Sequence, residues 1–144
     1  MNEFIVWDKE NKKFVENLTG YYLDKDCLLW KEECSKYECD LIIATDCICF
    51  PHIGKTDINN EKIYADCSIF EFAFKGFGEV FAESYIGYFV WNDFRLRYDI
   101  KIINKSDKDG DSYIFDYGKC LPNIINNEFK IIDTLQENKL GLIK

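Results

Sequence analysis

A chain of 144 residues carrying 26 acidic against 18 basic side chains has a formal net charge of −8, which repels a phosphate backbone at long range and argues against a nucleic-acid partner. Hydrophobic residues at 47% and charged residues at 31% exclude disorder as a description of the whole. The departure from average is 12 Phe, 9 Tyr and 3 Trp; a small domain with so many large rings is expected to leave some at its surface, as a partner interface.

Taken in order, residues 4–7 and 13–16 read as two strands joined by the polar run 8–12, a hairpin at the start. Trp30, Cys34, Tyr37 and Leu41 recur every three to four residues after a capping Asp26, which predicts a short amphipathic helix over 28–37. The apolar run 41–50, ended by Pro51, reads as one buried strand. After a turn at 57–61, strands are predicted at 62–64, 68–74, 78–83, 87–91 and 96–103, with Gly76, Gly78, Gly87 and Gly110 at or near their ends as bends. A strand at 112–117, a Pro-initiated helical turn at 122–127 and a last strand at 129–135 complete the chain. Short strands at this spacing predict a mainly β (α+β) fold: a small SH3-like barrel or a strongly curved antiparallel sheet, with an N-terminal hairpin and one or two short helices. Residues 1–50 are expected to form the hairpin and short helical subdomain, and 51–144 the barrel-like domain, within one compact unit overall.

The start of the chain shows no basic stretch followed by an apolar one, and no window approaches the ~18 apolar residues of a membrane span. A soluble protein of the cytoplasm with no membrane partner is expected. Cys27, Cys34, Cys39, Cys47, Cys49, Cys67 and Cys120 are odd in number, and they read as reduced thiols used as small hydrophobes. Zinc is the sharper alternative, but Cys34/Cys39 and Cys47/Cys49 lack the paired Cys-x2-Cys spacing of a structural site, so no disulfide, metal or cofactor is expected.

Motifs for chemistry are sparse. His52 is the single histidine, which excludes multi-His ligation, and it reads as a loop residue with ordinary hydrogen bonds. Asp107, Asp109 and Asp111 fail the calcium-loop register because Lys105 would occupy the first ligand position; Asp109-Gly110 signals a hairpin instead. The cationic groups Lys9/Lys12/Lys13, Arg95/Arg97 and Lys101/Lys105/Lys108 are interleaved with acids and read as solvated faces. No phosphate loop, dinucleotide fingerprint or nucleophile elbow is present, and no catalytic residue is assigned.

Four stretches carry a resemblance. The opening ends in Trp7-Asp8-Lys9, the centre keeps Gly54, Asp57, Asn59, Ile63 and Tyr64, and Gly78-Glu79-Val80-Phe81 and residues 132–138 approximate two later blocks. With these the chain resembles the YopX family of small phage and prophage proteins, departing where Ala65, Asp66 and Cys67 replace that family's Glu-Gly-Asp. The shared residues are structural turns, so the resemblance implies a fold and no chemistry. The turn residues are Gly54, Asp57, Asn59, Asn60 and Tyr64, with Asn59 or Asn60 expected at positive φ.

The expectation is a non-enzymatic phage or prophage accessory protein acting through protein contacts, a homo-oligomer whose aromatic surface lies between subunits. Phe77, Tyr85, Tyr88, Phe89 and Trp91 are the candidate interface, drawn from a ring-rich stretch between Phe70 and Phe94 expected to serve both core and contact. The alternative is an acidic inhibitor or mimic that binds a host protein. A small hydrolase or nucleic-acid-binding barrel is the third reading.

Overall fold

The computed structural model describes residues 4–26, 28–106 and 109–143; Cys27, Asp107 and Lys108, on which three of the readings above touch, lie outside them. The fold is mainly β, every strand pairing is antiparallel, and one sheet is strongly curled into a half-barrel. The chain divides into two compact units, Met1–Pro51 and His52–Lys144.

In the first unit, β1 (Phe4–Asp8) pairs with β2 (Lys13–Phe14). The hairpin turns because the Asp8 carboxylate accepts the N–H groups of Glu10 and Asn11 at 3.0 and 3.1 Å, while Lys12 takes the left-handed backbone that closes it. A meander follows: β3 (Tyr21–Leu23), β4 (Leu29–Cys34) and β5 (Cys39–Ile43). This corrects the helix expected over 28–37. Trp30 and Cys34, four apart, share a face on a strand as readily as on a helix, and their cross-strand partners Tyr22, Ile43 and Cys39 settle the matter. Asp24 nucleates the turn before β4, accepting N–H groups from Asp26 and Leu28 and the indole N–H of Trp30 at 2.8 Å.

The run 41–50 is likewise not one buried strand. A turn at 44–46 splits it, with the N–H of Cys47 donating to the carbonyl of Ala44, and Leu41 and Ile43 are exposed on β5. Pro51 lies inside β6 (Cys47–Thr56), opposite Phe4 at the last position paired with β1, rather than ending the strand. Val6, Leu29 and Ala44 are the buried centre of this unit, with Phe4, Val15, Leu18, Tyr21, Cys47 and Cys49 packed around them.

Cys34 and Cys39 form a disulfide, which corrects the expectation of reduced thiols throughout. The two residues face each other in the β4–β5 register, and the tight turn between them, where the Ser35 hydroxyl and N–H reach Glu38, brings both sulfurs to the hairpin tip. Closing so short a loop removes roughly 2 kcal/mol of unfolded-chain entropy. Denaturation of the oxidised and dithiothreitol-reduced chain is therefore expected to differ by about 2 kcal/mol; coincident curves would show that the bond holds nothing the strand pairing does not.

In the second unit the later half of β6 pairs with β7 (Lys62–Tyr64). The main sheet runs in the order β11–β10–β9–β8–β12, from β8 (Ser68–Phe74), β9 (Glu83–Asn92), β10 (Arg97–Ser106), β11 (Ser112–Asp116) and β12 (Lys130–Thr134). A one-turn helix α1 (Tyr117–Cys120) and two 3-10 turns (Leu121–Asn123, Ile125–Asn127) lead into β12, and Asp116 caps α1 through the N–H of Lys119. The alternation of β8 and β9 turns Phe70, Phe72, Tyr85 and Phe89 to one side, where with Phe129, Ile100 and Ile102 they build the core. Ring centroids there lie 4.8–5.9 Å apart in tilted, edge-on and stacked pairs, the geometry aromatic quadrupoles favour.

Two predicted strands need correction. Residues 78–83 are mostly loop, because β9 starts only at Glu83. Gly87 sits mid-strand rather than at a bend: an added Cβ would lie 2.5 Å from the carbonyl oxygen of Lys101 on β10, so the bare backbone is what lets the strands approach. Tyr117 belongs to α1 rather than to β11.

Candidate functional site

The 57–61 turn is held by one carboxylate. Asp57, buried, accepts the N–H groups of Asn59 and Glu61 on Oδ1 at 2.9 Å each and the N–H of Ile131 on Oδ2 at 3.1 Å. The N–H of Ile58 donates to the carbonyl of Phe129, so the turn lies along the outer edge of β12 and closes it. Asn60 has φ +64, as expected for one of the two asparagines, and Gly54 has φ +86. Tyr64 pairs with His52 across β6 and β7. Asp57, Asn59 and Asn60 thus belong to one hydrogen-bonded structural turn.

The five candidate interface rings separate. Phe89 is fully enclosed and Tyr85 is buried, so both belong to the core and leave the interface: their strand positions face inward with Phe70 and Phe72. Tyr88 is half-buried on the opposite side of β9, and Trp91 is exposed beside Tyr98. Phe77 is fully exposed, at 105% of its reference area, and its neighbours Val80 and Phe81, which the candidate interface did not include, are exposed at 75% and 81%.

That exposure is built. The N–H of Glu79 donates to the carbonyl of Gly76, the N–H of Gly76 donates back to the Glu79 carboxylate, and Gly78 takes φ +79. Phe77 therefore occupies the second corner of a type II-like turn whose third position needs glycine. Phe94 and Leu96 project in the same way from the β9–β10 turn, where Asn92 accepts the N–H of Arg95. Gly-Phe-Gly at 76–78 was the signal available in the sequence, since glycine on both sides of a ring marks a turn rather than a strand.

Next to the base of the 75–82 loop a groove of about 320 Å3 runs along β8, lined by Ile58, Glu71, Ala73, Ile125, Glu128 and Lys130 among others. Ile58 and Ile125 are exposed apolar residues on its walls. Lys130 and Glu71 face each other at 3.9 Å on its rim.

Groups with chemical potential are tied to structural partners. Arg97 bridges the buried Asp99 at 2.9 Å and Asp116 at 2.6 Å, and Asn92 donates to the other Asp99 oxygen. His52 Nε2 lies 3.1 Å from the carbonyl of Lys55, which only accepts, so that nitrogen carries the proton. Burial pushes the Cys67 thiol up to about 12 and the Cys120 thiol up to about 11, so neither is a thiolate near neutrality. Among the described residues no cluster of three or more His, Cys, Asp or Glu is placed to hold a metal, and no helix is long and apolar enough to cross a membrane. The disulfide also takes two of the four sulfurs that a zinc arrangement of Cys34, Cys39, Cys47 and Cys49 would use.

The arrangement defines an antiparallel β protein whose distinctive surface is a set of rings held out on ordered turns. Comparison with known proteins finds no matching family model, no significantly similar curated protein and no significantly similar solved structure.

Proposed function

We propose that this chain is a non-enzymatic accessory protein that works by contact with other proteins and associates with itself. The observation that carries this reading is the exposure of Phe77, at 105%, on a hydrogen-bonded turn, and of Phe81, at 81%, two residues beyond it. Water-exposed rings gain nothing for the fold, whereas aromatic anchors are what protein interfaces concentrate. The resemblance to the YopX family supports a phage or prophage setting in a bacterial host. The net charge of −8 supports a protein partner over nucleic acid.

Molar mass in solution tests the reading. Light scattering behind a sizing column is expected to give a multiple of the chain mass at micromolar concentration, falling towards the single-chain value on dilution. A single-chain mass at every concentration would remove the self-association part.

A further inference from the structure

We propose that the 75–82 loop and the groove beside it are the two halves of one self-complementary contact, in which Phe77 of each copy seats in the groove of a second copy of this chain. The inference rests on the self-associating reading above and names its surface. Ala73 and Ser84, cross-strand partners just below the loop, belong to the groove lining, so the projecting ring and the receptacle lie side by side on one unit. A two-fold axis between them satisfies both at once, as an isologous dimer requires.

Size, area and charge all favour this occupant. An apolar cavity of about 150 Å3 takes a benzene ring, and the groove offers about 320 Å3 walled by Ile58, Ala73 and Ile125. Two rings hide roughly 150–250 Å2 each on burial. With Val80, Ile58 and Ile125 added, each copy approaches the roughly 800 Å2 per partner of a stable interface. The groove rim carries both signs, Glu71 and Glu128 with Lys130, and the loop that would enter it carries the exposed Lys75 and Glu79 on either side of Phe77, so the proposed seating sets Lys75 against Glu128 and Glu79 against Lys130. The acidic surface as a whole opposes association, but at this contact the charges pair.

The experiment measures dimer dissociation by concentration-dependent light scattering for five forms of the full chain: wild type, Phe77→Ser, the single charge reversals Lys75→Glu and Glu128→Lys, and the two reversals combined. Phe77→Ser is expected to raise the dissociation constant at least about thirty-fold, as loss of a central interface anchor does, while its thermal transition matches that of wild type when both are melted below the wild-type dissociation constant, because the exposed ring supports nothing in the free chain. Each single reversal is expected to weaken the dimer and the combination to restore it. A wild-type dimer indifferent to Phe77→Ser would overturn the loop-and-groove contact while leaving self-association standing. Loss of the dimer in Phe77→Ser without rescue by the paired reversal would overturn the groove as the receptacle. A monomeric wild type would overturn both this inference and the reading beneath it.

Discussion

Replacing Asp57 by alanine is expected to lower the stability of the second unit by about 3–5 kcal/mol, since hydrogen bonds to a charged acceptor contribute about 1.5–3 kcal/mol each and three donors lose theirs together. Asn59 and Glu61 are exposed, so water recovers part of the loss at their N–H groups. The N–H of Ile131, at the covered edge of β12, is the costly one. Asp57→Asn separates the contributions. Its remaining oxygen can still serve the turn donors, whereas its amide N–H groups would face the N–H of Ile131, so about 2 kcal/mol is expected to go. Urea unfolding of the three forms checks this, and an alanine variant within 1 kcal/mol of wild type would mean that the turn stands without its carboxylate.

Gly87→Ala is expected to cost about 3 kcal/mol or more, at the upper end of what overpacking a tight contact brings. The atom that the new methyl meets at 2.5 Å is a backbone oxygen, and Ile100 Cγ2 stands 3.1 Å away, so β9 and β10 must separate in the middle of the sheet. Gly78→Ala is the control. Nothing lies within 4 Å of a Cβ there, and only the left-handed backbone, φ +79, opposes the change, a cost of about 1–2 kcal/mol. Thermal melts of both variants measure the contrast; equal losses would refute the close-approach explanation of Gly87.

What could be read in advance followed from local chemistry. The turn at 57–61 was legible because Asp and Asn announce it through their own side chains, and β8 because its rings alternate. The meander was not, since Trp30 and Cys34 fit either period and only their partners on β3 and β5 decide. Leu41, Ile43 and Ile48 read as interior by composition, yet all three are exposed, with a turn hidden among apolar neighbours. The ring surface was legible only in part: Gly76 and Gly78 on either side of Phe77 mark the turn that exposes it, whereas Phe89, between Tyr88 and Val90, shows which face it takes only once the register of β9 with β8 and β10 is known.

Phe129 has a consequence for synthesis. It touches Phe70, Phe72, Phe89 and Tyr117, and β12, immediately after it, pairs with β8. During translation β8 to β11 therefore emerge with their aromatic side uncovered and wait for a segment made much later, the non-local closure that slows folding and invites misassociation. The first unit, whose pairings are complete once Pro51 has appeared, has no such wait. A chain cut short between residues 117 and 128 would pair a closed first unit with an open, protease-sensitive second one.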